Sequence, residues 1–500
     1  MISIHIEESP RAVPLGPAML ASVLKKTFSK EIQTDILNLY LNQSPSECAE
    51  MILKHDPHFI GFSMYIWNRN LTLAIAEILK QKKPDIIVFA GGPEASANSI
   101  DFILSGECEE IIIPAMDHLL KGGDPQEISE IVSPSPIKDL SILPSPFLDR
   151  TLNPADYSGM LWELSRGCPF KCDFCYESRG TTGIRRFPTD RIRAELRLFE
   201  KSKVDQVFVL DPTFNYNKKT AKEILQLIIE EAPDICFFFE VRSEFIDAEM
   251  ADLFASINCS LQIGIQSASN EVLKNINRKI DTDDFTSKML LLHEAGISYG
   301  FDLIYGLPGD TLEGFCASID FAISFVPNHM DIFPLTILPG TRLHETAPSF
   351  GLEYQANNPY QVISSPGFSG NDMKLAEELA HAFDLFYNKG KAVPWFAIIL
   401  NALELTPSAF FREFADWLRA KSDGNIISLQ KNFIAGLLEK HEKTHLTSLA
   451  SDIITYFGYS ECPAEDEIPP SFSHNPTKLI EQLDSGITDL EELSVLLAER

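Results

Sequence analysis

Three cysteines on one short stretch are the strongest chemical signal in this chain. Cys168, Cys172 and Cys175 are spaced C-x3-C-x2-C and follow the apolar run LWELS at 161–165. Thiolates are soft ligands that suit iron–sulfur clusters and zinc, and three of them leave one coordination position open. A closed structural zinc site would need a fourth Cys or His, and none adjoins this loop. The spacing therefore favours an open metal centre over the alternative of an incomplete zinc knuckle.

The elements that must position this loop follow a repeated strand–helix pattern. Counting LWELS, six strand-like runs alternate with helical segments such as AKEILQLIIEEA. The five later runs are QVFVLDPTF, CFFFEVRSE, LQIGIQSAS, YGFDLIYGLPG and DIFPLTILPGT. Six units are too few to close an eightfold barrel, so we predict an open, partial (β/α)6 barrel over residues 157–345.

Polar residues interrupt these apolar runs where the strands end, which is the edge at which parallel barrels build active sites. They are Asp211, Glu240, Arg242, Gln266, Ser267 and the turn Gly306-Leu307-Pro308-Gly309. Each has a structural alternative, since Glu240 and Arg242 could pair with each other and the turn could be only a turn. Charged groups at the ends of buried strands are costly unless paired or used, which favours a binding role for the set.

Residues 1–124 show a second alternation of strand and helix. Buried runs such as FIGFSMYIW and IIVFAGGP predict a doubly wound parallel sheet of Rossmann-like type. Ligands bind such sheets at the carboxyl ends of the strands. The residues found there are Leu15, Gly16, Ser63, Tyr65, Gly91, Gly92, Pro93, Gly106 and Glu107. The glycines among them would let a bulky ligand approach the backbone closely.

The remaining segments complete an α/β chain of several domains, as its 500 residues suggest. Residues 125–156 are rich in Pro and Ser and are predicted to form a linker. Residues 346–500 begin with a loop that could cover the barrel and continue as amphipathic helices. We therefore predict a mostly helical C-terminal domain.

Composition restricts the location and the partners of the chain. A formal net charge of -29 repels phosphate backbones and argues against nucleic acid as a main partner. The start MISIHIEESP lacks the pattern of a signal peptide, and no apolar run reaches the roughly 18–20 residues of a membrane span. Nine cysteines without a paired framework fit a reducing cytoplasm.

The cysteine spacing, the aromatic Tyr176 and the preceding strand resemble the radical S-adenosylmethionine (SAM) superfamily. The resemblance implies that Cys168, Cys172 and Cys175 hold a [4Fe–4S] cluster and that SAM binds the open iron. It further implies reductive cleavage of SAM to a 5′-deoxyadenosyl radical.

Further segments resemble the cobalamin-dependent branch of that superfamily. LDPTFN, with Asp211, is similar to the segment near the methionyl amino group, and FEVRSE to the strand that offers a carboxylate and a guanidinium to SAM. IYGLPGDT is similar to the segment near the adenine. By the same resemblance, Gln266 and Arg278 would contact the ribose and the SAM carboxylate.

The N-terminal segments PLG, GFSMY, AGGP and GECE resemble the cobalamin-binding domain that precedes many radical SAM cores. The D-x-H-x-x-G motif of other cobalamin-binding domains, whose histidine ligates cobalt, is replaced here by EESPRAVPLG. The resemblance therefore implies bound cobalamin whose lower face has no histidine ligand.

The function implied by these resemblances is methylation of an unactivated carbon, with SAM and methylcobalamin as cofactors. Two alternatives remain: a rearrangement, cyclisation or oxidation without methyl transfer, and a non-catalytic corrinoid or redox sensor. The expected partners are an external electron donor similar to flavodoxin or ferredoxin, and a small-molecule, lipid or peptide substrate. No residue is predicted to act as a catalytic acid or base.

Overall fold

The computed structural model describes residues 1–95, 99–177, 183–419, 424–459 and 472–498. These form two compact units. The first contains residues 1–171 and 177–260, and the second contains residues 172–176 and 261–500.

The first unit begins with a five-stranded parallel sheet in the order β2-β1-β3-β4-β5. Its strands are β1 (Ile2–His5), β2 (Leu37–Tyr40), β3 (Phe59–Ser63), β4 (Ile87–Gly91) and β5 (Phe102–Leu104). The helices are α1 (Leu15–Thr27), α2 (Pro45–Leu53), α3 (Arg69–Lys82), α4 (Cys108–Leu120) and the short α5 (Ile128–Ile131). The strand order reverses at β1, where doubly wound sheets open a ligand crevice. The predicted doubly wound sheet is confirmed.

Apolar residues explain why this sheet forms. Ile60 and Val88 on neighbouring strands are almost fully buried, as are Ile75 and Leu79 one helical turn apart on α3. Strands covered on both faces require such continuous apolar runs, which is why they were visible in the sequence. Ser44 and Glu47 form a capping box that begins α2.

The first unit continues with three parallel strands in the order β10-β9-β6. The strands of this region are β6 (Gly159–Trp162), β7 (Ser165–Arg166), β8 (Arg185–Arg186), β9 (Gln206–Val209) and β10 (Cys236–Val241). Its helices are α6 (Thr189–Lys201), α7 (Lys218–Glu231) and α8 (Ala248–Ala255). The two-residue strands β7 and β8 pair antiparallel and join the two ends of the cysteine loop.

The second unit contains the other three strands of the predicted barrel, in the order β13-β12-β11. These are β11 (Cys259–Gln266), whose first two residues lie in the first unit, β12 (Ser298–Tyr305) and β13 (His329–Pro334). Helices α9 (Asn270–Lys274), α10 (Thr282–Glu294) and α11 (Leu312–Ile323) accompany them. Strands β12 and β13 are parallel, with Asp302 opposite Asp331 and Ile304 opposite Phe333. All six predicted barrel strands are thus present.

The rest of the second unit is mostly helical, as predicted. A short antiparallel pair, β14 (Glu353–Tyr354) and β15 (Val362–Ser364), lies in the loop expected at 346–370. The helices are α12 (Arg342–Thr346), α13 (Gly370–Phe383), α14 (Phe396–Leu403), α15 (Pro407–Leu418), α16 (Ile426–Lys440), α17 (Thr447–Tyr459), α18 (Pro476–Asp484) and α19 (Leu490–Ala498). Within the described ranges, none of the helices is both long enough and apolar enough to cross a membrane.

Candidate functional site

Two of the three motif cysteines lie on a turn that is anchored in the second unit. Cys172 is 7% exposed, and the Cys175 amide donates a hydrogen bond to its carbonyl at 3.1 Å. Between them, the Asp173 amide donates to the Ile276 carbonyl at 3.1 Å, and its carbonyl accepts from the Leu343 amide at 2.8 Å. Backbone bonds on both sides therefore hold the turn in place.

Arg278 lies beside this turn. Its Nη1 is 3.9 Å from the Cys172 sulfur, and its Nη2 donates to the Gly264 carbonyl at 2.6 Å. The guanidinium thus places a permanent positive charge next to a sulfur that would be anionic as a metal ligand. The predicted SAM contact of Arg278 remains a prediction, but its proximity to the cysteine turn agrees with it.

Cys168 lies in the first unit, after a glycine with φ of +94° at Gly167. Just before it, Arg166 pairs with Glu109 at 2.6 Å and with Glu163 at 3.0 Å, and its side chain is only 12% exposed. These carboxylates raise the pKa of Arg166 despite its burial. Residues 178–182 of the cysteine loop lie outside the described part of the chain.

The far end of the loop is held by a second arginine that sequence reasoning missed. Both Nη atoms of Arg185 bond to Glu107, at 2.8 and 2.5 Å, and Nη1 also donates to the Ile137 carbonyl. Burial opposes ionisation of Glu107, but these bonds hold its pKa below the usual value. Glu107 was predicted to contact cobalamin, and the structure gives its carboxylate a partner on β8.

Asp211 anchors the segment that leads into the cysteine loop. Its carboxylate accepts hydrogen bonds from the Leu164 amide at 2.9 Å, the Ser165 amide at 3.0 Å and the Ser165 hydroxyl at 2.5 Å. Burial raises the pKa of Asp211 to about 6, while these three donors act in the opposite direction. A role in SAM binding stays a prediction; the described partners make Asp211 a support of the loop.

Arg242 lies over the ring of Phe170, a residue of the cysteine loop, at 3.8 Å from its centroid. Its Nε is 2.7 Å from a carboxylate oxygen of Glu244, while the Glu240 carbonyl accepts a hydrogen bond from the Phe214 amide. A guanidinium stacked on an aromatic ring keeps its donors in a fixed plane. This geometry fits the expected recognition of a carboxylate.

The other predicted SAM contacts lie at the ends of β11 and β12. Gln266 is buried with φ of +69°, an uncommon conformation for a non-glycine residue that is enriched at functional sites. Ser267 is also buried, and its hydroxyl accepts a hydrogen bond from the Ser269 amide at 3.1 Å. Gly306 has φ of +81°, and the Pro308 carbonyl accepts from Asn275 at 2.9 Å. The hydrogen bond from Asn275 therefore fixes this turn, and its contact with SAM stays a prediction.

The carboxyl edge of the N-terminal sheet carries an aromatic surface. The rings of Tyr65 and Trp67 stack at 4.5 Å with an angle of 3°, and Trp67 is 46% exposed. Trp67 was not among the predicted residues, although its position two residues after Tyr65 was a usable signal. Such a flat, exposed and apolar platform suits a large planar ligand.

The other residues predicted at this edge differ in their surroundings. Leu15 is buried at the start of α1, whereas a Cβ on Gly16 would meet nothing closer than the Tyr65 hydroxyl at 4.0 Å. Gly92 has φ of +110°, and a Cβ there would lie 2.3 Å from the Met64 carbonyl oxygen. The fold itself thus requires Gly92. Of the others, Ser63 is the last residue of β3 and Gly91 is the last residue of β4. Pro93 follows β4, and Gly106 precedes α4.

The cysteine turn and the aromatic surface can be compared with the cofactors that the sequence motifs imply. Within the described residues, no three His, Cys, Asp or Glu side chains are grouped to hold one metal ion. Cluster thiolates bind different irons and need not converge as the ligands of a single ion do. The anchored cysteine turn with its adjacent arginine fits a cluster, and the Tyr65–Trp67 surface fits a corrinoid.

Together, the cysteine motif, the barrel strands and the preceding sheet are the features expected of a radical SAM protein with a cobalamin-binding domain. Family comparison agrees, because residues 162–322 match the Radical SAM superfamily and residues 10–111 match the B12 binding domain. Residues 348–475 match a family described as "Protein of unknown function (DUF4080)". These matches, each to a part of the chain, confirm the predicted resemblance to radical SAM proteins that carry a B12-binding domain. The radical SAM domain implies a [4Fe–4S] cluster and SAM, and the B12-binding domain implies cobalamin.

Relatives and solved structures give the same assignment of fold. The chain is 26% identical over 382 residues to the cobalamin-dependent radical SAM methyltransferase TokK of Streptomyces tokunonensis. That match covers 68% of this chain but 55% of TokK. Among solved structures, the cobalamin-dependent SAM radical enzyme OxsB aligns over 97% of this chain and 84% of its own, with a TM-score of 0.60 and 14% identity. The radical SAM methyltransferase TsrM from Kitasatospora setae covers 72% and 78%, with a TM-score of 0.57 and 16% identity.

Proposed function

We propose that this chain is a cobalamin-dependent radical SAM enzyme that methylates an unactivated carbon of a small-molecule substrate. The main support is the occurrence, in one chain, of a B12-binding match and a radical SAM match. The methyltransferase TokK, with which most of the chain aligns, supports methyl transfer as the reaction. The proposal includes an external electron donor, because reductive cleavage of SAM consumes an electron.

The chain's own residues would divide the work as follows. Cys168, Cys172 and Cys175 would hold the cluster, and Arg278 would orient the SAM carboxylate beside Cys172. The cluster, SAM and cobalamin, when bound, would supply the radical and methyl-transfer chemistry. The protein's contribution is to position these groups and to exclude water from them.

Binding of SAM is proposed to use the strand-end residues of the barrel. Arg242, held over Phe170, presents a guanidinium that suits a carboxylate by its bidentate geometry. Gln266 and Ser267 would lie near the ribose, and the Gly306–Gly309 turn near the adenine. On the N-terminal sheet, Tyr65 with Trp67 and the open position at Gly16 would contact the corrin.

The test uses full-length protein reconstituted anaerobically with iron, sulfide and hydroxocobalamin, then given SAM and a strong reductant. SAM-derived and corrinoid products are followed together by mass spectrometry. We expect bound methylcobalamin, with both S-adenosylhomocysteine and 5′-deoxyadenosine accumulating. Formation of 5′-deoxyadenosine without S-adenosylhomocysteine would replace methylation by a rearrangement, cyclisation or oxidation. Absence of both products in cluster-loaded protein would leave a corrinoid or redox sensor.

A further inference from the structure

The turn between β5 and α4 contacts both ends of the cysteine loop. Glu107 and Glu109 belong to this turn and to GECE, one of the segments that resemble a cobalamin-binding domain. Arg166 lies two positions before the first motif cysteine, and Arg185 begins β8 on the far side of the loop. All four residues belong to the first unit. One turn of the N-terminal sheet therefore reaches both flanks of the motif that is proposed to hold the cluster.

Glu107 holds the far end of the loop. Its two carboxylate oxygens accept from the two Nη atoms of Arg185, at 2.5 and 2.8 Å, in the paired geometry that matches a planar guanidinium. The Ile137 amide donates to the same carboxylate at 3.0 Å, and the Ile137 carbonyl accepts from Arg185 at 2.5 Å. The Arg185 and Glu107 side chains are only 16% and 22% exposed. These contacts fix β8 relative to the turn.

Glu109 holds the near end of the loop. Arg166 pairs with Glu109 at 2.6 Å and with Glu163 at 3.0 Å, and the side chains of Arg166 and Glu109 are both largely buried. Gly167, which joins Arg166 to Cys168, has φ of +94°, so the chain bends directly after the arginine. The position of Cys168 therefore depends on how Arg166 is held.

These ion pairs resist separation, and the turn that carries them has room for a ligand. Breaking a largely buried, hydrogen-bonded pair leaves an uncompensated charge where water has little access. The turn and the two flanks of the loop therefore act as one element. Gly106, next to Glu107, is open, because a Cβ there would meet nothing closer than a Pro134 carbon at 3.5 Å.

We infer that Arg166 and Arg185 are positioning residues that couple corrinoid binding to the cysteine loop. The inference rests on the proposed function for the identity of the two bound groups. When a bound corrinoid fixes the β5–α4 turn, the carboxylates of the turn fix the two arginines, and these fix both ends of the loop. Coupling between two sites is reciprocal, so a loaded cluster must in turn raise the affinity for the corrinoid. Ion pairs that only stabilise the fold would leave the two binding events independent.

The first measurement is the dissociation constant of hydroxocobalamin, by anaerobic equilibrium dialysis of full-length protein without SAM or reductant. Cluster-free protein is compared with protein reconstituted with iron and sulfide. We expect the reconstituted form to bind at least about fivefold more tightly, which is the low end of common coupling factors. Arg185→Gln should bring this ratio to about one. Arg185→Lys keeps the charge but loses the paired geometry, so its ratio should lie between the two.

The matched control is Arg193→Gln. Arg193 belongs to α6 and pairs with Glu230 and Glu231 of α7, so this variant removes ion pairs without touching the turn or the loop. It should keep the full ratio of the unmodified protein.

The second measurement follows the loop itself and needs no cluster. Hydrogen–deuterium exchange of cluster-free protein should slow at residues 164–168 and 184–187 when hydroxocobalamin is bound. In Arg185→Gln the slowing at 184–187 should disappear. A change that only weakens the fold would instead alter exchange equally with and without the corrinoid.

Three results would overturn the inference. They are equal affinity of both forms for hydroxocobalamin, an unchanged ratio in Arg185→Gln, and exchange at the loop ends that does not respond to the corrinoid. Circular dichroism checks the fold of each variant, and the comparison of the two forms of the unmodified protein needs no variant. Binding of hydroxocobalamin without coupling contradicts this inference alone, whereas no binding at all contradicts the proposed function and this inference with it.

Discussion

Asp211 in the first unit and the Asp302–Asp331 pair in the second unit both place carboxyl groups among parallel strands, but their partners differ. Asp211 accepts from two backbone amides and one hydroxyl, all in the segment that precedes Cys168. Asp302 and Asp331 share a single amide nitrogen and lie close to each other. Both oxygens of the Asp211 carboxylate accept hydrogen bonds from the chain, whereas the two carboxylates of the pair share one side-chain donor among the described residues.

This difference separates a carboxylate that supports the fold from a pair that costs it stability. A buried polar group that the chain satisfies completely fixes local geometry, whereas an incompletely satisfied group costs stability until a ligand completes it. The fold therefore keeps Asp211 as an anchor of the cysteine loop. The Asp302–Asp331 pair, which shares one side-chain donor among the described residues, costs stability instead.

Removal of a proposed cluster ligand has the largest expected effect, since the loop that Asp211 anchors is proposed to hold the cluster. Cys172→Ala should bind little iron and sulfide after reconstitution and should cleave SAM no faster than the assay background. Iron and sulfide analysis with mass spectrometry of 5′-deoxyadenosine measures both. Cys236→Ala, a cysteine of β10 outside the motif, is the control and should load normally. Normal cluster content in Cys172→Ala would show that the loop anchored by Asp211 does not hold a cluster through this cysteine.

Asp211→Ala tests the anchor itself. It leaves the amides of Leu164 and Ser165 without their acceptor, and each unsatisfied buried group costs about 1–3 kcal/mol, so we expect a loss of about 4 kcal/mol in the free energy of unfolding. Urea denaturation measures the change. Asp211→Asn keeps one acceptor oxygen and should lose clearly less. If the alanine variant is as stable as the asparagine variant, the three hydrogen bonds do not support the loop.

The sequence predicted those parts of the molecule whose signal is local. Strands such as β3, β4 and β9 have continuous or nearly continuous apolar runs because they are buried on both faces, and these runs are visible without a structure. The cysteine turn is equally local, since its ligand types and spacing lie within eight residues. Local patterns therefore revealed the sheet, the six barrel strands and the motif.

The missed features depend on contacts between distant residues. Glu107 and Arg185 are 78 positions apart, and the strands β7 and β8 are too short to show any periodicity. Asp302 and Asp331 did leave a signal, because each is a carboxylate inside an apolar run. They were not predicted as site residues because they lie inside the strands and not at the strand ends. Only the register of β12 against β13 shows that they are neighbours.

Asp310 gives an intermediate case between the anchor and the pair. The Thr311 amide donates to its Oδ1 at 2.8 Å, while its Oδ2 has no hydrogen-bond partner among the described residues. Burial raises the pKa of Asp310 from 3.8 to about 6. Between these values the folded chain holds a proton that the unfolded chain releases, so stability falls as pH rises, by about 3 kcal/mol in total.

Asp310→Asn should therefore gain stability relative to the unmodified chain as pH rises from 4 to 6, with no further gain above that range. Urea denaturation at several pH values measures the difference. Asp283→Asn, an exposed aspartate in the same unit, should follow the unmodified chain throughout. Parallel curves for the Asp310 variant and the unmodified chain would show that burial does not raise the pKa of this carboxyl.

Asp302→Asn has the smallest expected effect, and its sign is opposite to that of Asp211→Ala. The asparagine keeps an acceptor for Gln262 and removes one of two like charges at most about 6 Å apart. At this separation, repulsion screened partly by solvent is worth about 1 kcal/mol, so the variant should be more stable by that amount at pH 7.5. Because the pKa of Asp302 is raised, the carboxyl takes up a proton as pH falls, and the gain should shrink in acid. A gain in stability would show that the two carboxylates repel each other in the folded chain. A loss of stability comparable to that of Asp211→Ala would instead make Asp302 a second structural anchor.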